Sequence, residues 1–274
     1  MTPSLLILTD FFQAADRALD YATNLAAPLG ARLVLLHVRR DSILDPEILT
    51  GTFSNLSQEA TNLALSRVAS DLAVPVVVEI GHGRVAVAVA DAVSRHHPLL
   101  VVLGRADYAD IPDELVHTTA LDILRTAPYP LLVVPAAVAT TAPPQRVLLA
   151  LDREAFTLGD YAGMARHLLN TLGAKLTVVH VAAHPGPADR AAEVLESVRW
   201  TGLAIDLPTP VRFRHSTATA PAEGILAVAQ PEDYDLVVVL ARPRSFWGEL
   251  FHHSVTAQVL KHSTIPVLVL PTEA

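Results

Sequence analysis

The chain has 274 residues, with 20 Lys and Arg against 28 Asp and Glu, and it contains no cysteine. The formal charge of -8 opposes binding to a phosphate backbone, which excludes nucleic acid as a partner. Disulfides and thiol chemistry are excluded as well, which fits a reducing compartment. The opening residues, MTPSLLILTD, lack the pattern of a secretory signal, and every apolar stretch is too short to cross a membrane. We therefore expect a cytoplasmic protein without a membrane segment.

The predicted elements, taken in chain order, occur twice. Three segments of the first half recur in the same order in the second: LLILTD at 5–10 as VLLALD at 147–152, GARLVLLHV at 30–38 as GAKLTVVHV at 173–181, and YPLLVVP at 129–135 as IPVLVLP at 265–271. A repeat of this period predicts two copies of one domain. We place the domains at residues 1–139 and 145–274, joined by a short linker that contains two prolines.

Short runs of consecutive apolar residues, rich in leucine and valine, predict strands that are buried on both faces. In the first half these runs are 5–8, 33–38, 76–80, 99–103 and 131–134. The segments between them have helical spacing, and Gly30 and Gly173 stand where a helix-terminating glycine belongs. Regular alternation of strand and helix predicts an α/β fold with a doubly wound parallel sheet in each half.

Ligands of doubly wound sheets bind beyond the carboxyl ends of the strands. The residues at those ends are the candidates for a functional site: Asp10, Val38 and Gly104 in the first half, and Asp152, Val181 and Leu240 in the second.

At these strand ends the sequence resembles the universal stress protein family. The resemblance covers nearly the whole chain, as a tandem pair of domains. The resemblance rests on the repeated segments above, on DLVVV at 235–239 and on residues 253–271. It implies two doubly wound domains of the adenine-nucleotide α-hydrolase-like type. In nucleotide-binding members, a loop after the fourth strand carries Gly, two residues, Gly, nine residues, then Gly followed by Ser or Thr. Such a loop cradles phosphates with its backbone N–H groups.

The resemblance also implies roles for single residues. An acidic residue after the first strand would bind the ribose, and backbone after the second strand would contact the adenine. The residues that match the family's nucleotide-binding positions are Asp10, Val38, Gly104 and Thr118 in the first half and Asp152, Val181 and Ser254 in the second.

The phosphate loop departs from the family pattern in both halves. Asp107 and His117 replace two of its glycines in the first half, and Leu240, Pro243 and His253 replace all three in the second. Asp107 would bring negative charge to the phosphates, and Pro243 has no N–H to donate. We therefore predict a non-catalytic stress-response protein with degenerate loops, acting as a scaffold or ligand-binding module. The alternative is a sensor that binds ATP or another adenylate through the first domain, and slow hydrolysis of ATP stays open.

Other patterns offer further alternatives. Residues 81–84 (GHGR) precede a helical segment as a dinucleotide fingerprint would, but they follow a third strand, which favours a plain glycine turn. His37 and His180 lie within apolar strands and predict satisfied imidazoles. We predict no metal site, because adjacent histidines such as 96–97 and 252–253 point apart on a helix and no carboxylate stands at a ligand spacing. Catalytic motifs are missing, and no catalytic residue is predicted. A basic and aromatic patch is formed by Arg242, Arg244, Phe246 and Trp247. It could meet an anionic ligand or a partner, but an arginine that reaches towards solvent beside a packed aromatic residue is favoured.

The last strand of each half, residues 131–134 and 267–270, is predicted to be an edge through which the two domains pair. The linker would make this contact intramolecular and so raise its effective concentration. A homodimer or another protein partner stays open.

Overall fold

The computed structural model describes residues 2–9, 13–39, 53–106, 119–184, 189–242 and 254–273. Each half alternates strands with helices, as the sequence predicts. The first half contains β1 (Ser4–Thr9), α1 (Gln13–Ala26), β2 (Arg32–Arg39), α2 (Phe53–Ser70), β3 (Val76–His82), α3 (Val85–His96), β4 (Leu100–Arg105), α4 (Thr119–Thr126) and β5 (Leu131–Pro135). The second half contains β6 (Arg146–Ala150), α5 (Tyr161–Thr171), β7 (Lys175–Ala182), α6 (Asp189–Trp200), β8 (Arg212–Thr217), α7 (Pro221–Val228), β9 (Leu236–Ala241), α8 (Val255–His262) and β10 (Val267–Pro271).

Within each half the strands are parallel, in the orders β3-β2-β1-β4-β5 and β8-β7-β6-β9-β10. The central strands are apolar at consecutive positions because helices cover both faces of the sheet. Leu5 and Ile7 belong to the hydrophobic cluster on one face, and Leu6 belongs to the cluster on the other. The prediction of a doubly wound parallel sheet in each half is confirmed.

Two glycines end equivalent helices in the two halves. Gly30 follows α1 and Gly173 follows α5, with φ angles of 57° and 62° in the left-handed region. An L side chain is disfavoured at such angles, so glycine terminates the helix at the lowest conformational cost. The two predicted helix ends are confirmed.

The two half-sheets join into one sheet of ten strands through β5 and β10. These strands pair antiparallel, with Leu131 opposite Val269, Leu132 opposite Leu268 and Val133 opposite Val267. The same strand of each copy thus meets its counterpart, and the predicted edge pairing is confirmed. We call this pairing the seam.

An arginine from the first half crosses the seam. The guanidinium of Arg105, at the end of β4, donates to the carbonyl oxygens of Leu260 (2.7 Å), Lys261 (2.6 Å) and Ser263 (2.8 Å). The last carbonyls of a helix lack partners within the helix and carry partial negative charge, which a cation neutralises. Arg105 therefore caps α8 of the second domain from the first.

A tyrosine pair adds a second contact between the halves. The rings of Tyr129 and Tyr161 meet edge to face with centroids 5.4 Å apart, and the hydroxyl of Tyr161 donates to the carbonyl of Pro128 at 3.1 Å. Burial, together with the neighbouring Tyr161, raises the pKa of Tyr129 to about 12. Both phenols therefore stay neutral where the halves meet.

Asp235 holds the start of the second domain. Its Oδ2 accepts from the backbone N–H groups of Gln145 (3.0 Å) and Arg146 (2.8 Å), and its Oδ1 accepts from the Arg146 guanidinium at 2.6 Å. Burial acts to raise the carboxyl pKa, but these hydrogen bonds outweigh it and hold the pKa below its usual value. The end of the linker and the first residue of β6 are thereby held at the start of β9.

Candidate functional site

A cavity of about 410 Å³ opens at the carboxyl ends of β6, β7 and β9 in the second domain. The first residues of α7 and α8 close it on the helical side. Its wall consists mainly of aliphatic side chains, with a few polar groups at the mouth: Ala150, Leu151, Asp152, Val179, Val181, Pro221, Ile225, Val239, Leu240, Arg242, Ser254, Val255 and Thr256.

Three residues at predicted nucleotide-binding positions, namely Asp152, Val181 and Ser254, meet in this cavity, together with the strand-end candidate Leu240. They come from separate strands and a helix that the parallel topology brings to one edge of the sheet. The structure shows where these side chains lie, and their role in nucleotide binding stays a prediction.

The equivalent region of the first domain is described in part. Val38 lies near the end of β2, and Gly104 and Arg105 line a cavity of about 40 Å³ at the end of β4. Asp10 and Thr118 lie outside the described residues. So do the loop replacements Asp107, His117, Pro243 and His253.

We call the 410 Å³ cavity of the second domain the second cavity. At its mouth, Arg242 forms an ion pair with Asp152. Its Nη2 donates to Asp152 Oδ1 at 2.6 Å and its Nε donates to Oδ2 at 3.2 Å, a two-point geometry typical of arginine with carboxylate. Further donor bonds reach the carbonyls of Glu154 and Ala155, both at 3.0 Å. The Arg242 side chain is only 14% exposed.

The interpretation of Arg242 as a solvent-reaching side chain is therefore wrong. Its guanidinium turns inward because a carboxylate and two carbonyls offer it acceptors at the strand ends. Sequence reasoning missed the pair because its members lie 90 residues apart. The two residues meet because Asp152 follows β6, Arg242 follows β9, and these strands are neighbours in the sheet.

The hydroxyl groups of the cavity bond to the protein itself. Ser254 Oγ accepts from the N–H of Ala257 at 3.1 Å and so caps the N-terminus of α8. Thr256 Oγ1 donates to the carbonyl of Leu240 at 3.3 Å. These bonds fix α8 against the end of β9.

The two repeated histidines brace the strand ends in the same way. Nδ1 of His37 donates to the carbonyl of Thr9 at 3.0 Å, and Nδ1 of His180 donates to the carbonyl of Leu151 at 3.1 Å. Each imidazole satisfies a carbonyl at the end of the neighbouring strand. The prediction of satisfied histidines is confirmed.

Residues 81–84 form a strand-to-helix turn. Gly83 has a φ angle of 82° and donates to the carbonyl of Arg39 at 2.9 Å. A Cβ added at Gly81 would lie 2.8 Å from the Cβ of Ala88, so glycine is needed for close packing of β3 on α3. Backbone geometry thus accounts for both glycines, as the glycine-turn interpretation predicts.

The described part of the chain contains neither a metal-binding cluster nor a membrane-spanning helix. No group of three His, Asp or Glu side chains there is arranged to hold a metal ion. No helix within it has both the length and the apolar composition needed to cross a membrane.

Comparison with solved structures identifies the fold. A universal stress protein from Archaeoglobus fulgidus DSM 4304 is 17% identical, with a TM-score of 0.74 and 98% of each chain covered. A candidate universal stress protein from Pseudomonas aeruginosa UCBPP-PA14 is also 17% identical, with a TM-score of 0.57 over 99% of this chain and 94% of that one. The cytoplasmic domain of a prokaryotic cation chloride cotransporter is 11% identical, with a TM-score of 0.55 over 98% and 95%.

No curated protein gives a significant match to the chain. The sequence model of the universal stress protein family matches twice, over residues 1–135 and 144–271. These two matches cover nearly all of both halves. The chain therefore belongs to the universal stress protein family, as a tandem of two such domains.

Proposed function

We propose that the protein is a cytoplasmic, non-catalytic stress-response protein that acts as a ligand-binding module or scaffold. Its domains span residues 1–139 and 145–274, and its phosphate loops are too altered to hold ATP in the family's manner. The observation that supports this proposal best is the Asp152–Arg242 ion pair at the mouth of the second cavity.

The ion pair engages the Asp152 carboxylate, which by the family resemblance would bind the ribose of a nucleotide. Asp152 Oδ1 accepts from Arg242 and from the backbone N–H of Glu154, and its Oδ2 accepts from Arg242 again. A ribose hydroxyl would have to compete with a charged, two-point hydrogen bond. Pro243, the next residue of the loop, has no N–H for a phosphate.

The first domain differs at this position. Ala106 stands where the second domain has Arg242, one residue before Asp107, the second glycine position of the phosphate loop. Alanine has no guanidinium, so residue 106 cannot form the ion pair that Arg242 forms in the second domain. Identification of any bound small molecule, followed by titration with ATP, distinguishes a degenerate site in this domain from an ATP sensor.

The test is to denature freshly purified protein, identify the released small molecules by mass spectrometry, and titrate the emptied protein with ATP while following its melting temperature. A nucleotide present at about 100 times its dissociation constant stabilises the native state by about 2.7 kcal/mol. For a chain of this size that corresponds to a shift of roughly 5–10 °C.

We expect no adenylate to be released, no shift in melting temperature with ATP, and no phosphate release above the rate in buffer. Recovery of adenylate near one per chain, with a matching shift, would contradict the proposal. Gly104→Val would then show whether the first domain holds the nucleotide, since that residue lines the small cavity there.

A further inference from the structure

The polar side chains in the wall of the second cavity have partners within the protein. Asp152 and Arg242 are the charged side chains that line it within the described residues, and Arg242 forms ion pairs with Asp152 at 2.6 Å and with Glu154 at 3.6 Å. The Ser254 hydroxyl accepts from the first turn of α8, and the Thr256 hydroxyl donates to the carbonyl of Leu240. This part of the wall therefore offers a ligand no unpaired charge.

The deeper wall is aliphatic. Val179 and Val181 from β7, Val239 and Leu240 from β9, and Ile225 from α7 face the cavity. Its volume of about 410 Å³ falls within the range of small-molecule sites. Transfer of an apolar ligand from water into such a space is driven by the hydrophobic effect and breaks no existing hydrogen bond.

We propose that this cavity binds an uncharged, largely apolar small molecule and discriminates against anions of the same shape. This inference rests on the proposed function and names the class of its ligand. An anion would have to draw Arg242 away from Asp152, which would leave that carboxylate without its counterion. A neutral ligand leaves the pair intact.

Two dyes with one skeleton test the inference. Phenylnaphthylamine is uncharged, and anilinonaphthalene sulfonate adds a sulfonate to the same ring system. Both become fluorescent when they enter an apolar site, so each can be titrated against the full chain. We expect one molecule of phenylnaphthylamine per chain and affinity for the sulfonate at least about tenfold weaker, as for the loss of one charge-assisted contact.

Filling the cavity locates the dye. Val181→Trp should abolish binding of phenylnaphthylamine, because the indole would occupy the space between β7 and α7. Leu240→Trp, on β9 at the other side of β6, serves as a second filling variant in case the first perturbs the fold. Val87→Trp is the matched control, since Val87 is 44% exposed on α3 and lies outside this cavity.

Asp152→Ala tests the ion pair. Removal of the carboxylate breaks two hydrogen bonds of Arg242 at the mouth of the cavity and leaves the Glu154 carboxylate, 3.6 Å from Nε, as its neighbouring anion; Glu154→Gln in the same background removes that neighbour as well. We expect affinity for the sulfonate dye to rise about tenfold and affinity for the neutral dye to stay within about twofold. Melting curves verify that each variant is folded before it is titrated.

Sulfonate binding as tight as that of the neutral dye in the unaltered protein would overturn the inference. Neutral-dye binding that survives both filling variants in folded protein would overturn it too. Either result leaves the proposed function standing, because that proposal depends on ATP. Conversely, adenylate recovered from the first domain would contradict the proposed function without altering the discrimination between the dyes.

Discussion

The two halves of the molecule share one fold and differ in where each places an arginine after its fourth strand. In the first half Arg105 pairs in register with Pro135, and in the second Ala241 pairs with Pro271. Arg105 is therefore the counterpart of Ala241, and Arg242 lies one residue further along. Arg105 reaches across the seam, whereas Arg242 closes on the cavity of its own domain.

A shift of one position along the chain makes this difference, because consecutive side chains of an extended segment point to opposite sides. At the first position the guanidinium meets the last carbonyls of α8, and at the next it meets the carboxylate after β6. Neighbouring positions at the end of the same strand thus serve contact between the domains in one copy and an ion pair at the mouth of a cavity in the other.

The largest expected effect concerns the seam that holds the two halves in one sheet. Leu132 is 2% exposed and lies opposite Leu268. Leu132→Asp would bury a charge without a partner, so we expect a loss of more than about 4 kcal/mol in the free energy of unfolding, measured with urea. Leu63→Asp makes the same change at a leucine that is 56% exposed and should stay within about 0.5 kcal/mol. Equal losses would show that the seam is not a structural requirement.

The next effect separates the two arginines. Arg105→Ala removes three charge-assisted hydrogen bonds to the end of α8, and we expect a loss of about 2–4 kcal/mol in urea unfolding. Arg105→Lys keeps the charge but not the planar group, so it should recover only part of that loss. A lysine variant as stable as the original would show that charge alone suffices at this site.

A smaller effect involves Asp235, which pins the linker in the second half. Its lowered pKa means that its contribution is present above the unfolded-state value of about 3.9 and is lost as pH falls through the folded-state pKa. Asp235→Asn should therefore be less stable than the original at neutral pH, and the gap should close as pH falls below about 4. Urea unfolding at a series of pH values measures the gap. A gap independent of pH would contradict the assignment to the ionised carboxylate.

The smallest effect on stability is expected for Asp152→Ala. Asp152 is 53% exposed, and exposed ion pairs contribute little, so the free energy of unfolding should change by less than about 1 kcal/mol. The same variant should alter dye selectivity, which Arg105→Ala should leave unchanged. A loss comparable to that of Arg105→Ala would mean that the Asp152–Arg242 pair supports the fold rather than the cavity.

Much of the fold could be predicted because it depends on local patterns that the repeat shows twice. Runs such as residues 33–38 are apolar on both faces, which predicts buried strands, and Gly30 and Gly173 mark helix ends. Even the seam follows from the sequence, since the last strand of each half is an edge with no later strand in its own domain to cover it.

The candidate site could be predicted only in outline. Parallel topology places Asp152, Val181 and Ser254 at one edge of the sheet, as the structure shows. The partner of Asp152 could not be predicted, because it depends on which way Arg242 turns once the strand ends.

The sequence by itself determined the duplicated α/β fold, the doubly wound sheets and the strand ends at which a ligand could bind. Hydrophobic periodicity and the succession of strands and helices along the chain require only local information. Tertiary structure alone decided that Arg105 caps a helix more than 150 residues away and that Arg242 neutralises Asp152. Hydrogen bonds have a reach of about 3 Å, so their partners are selected only when packing has brought the elements together.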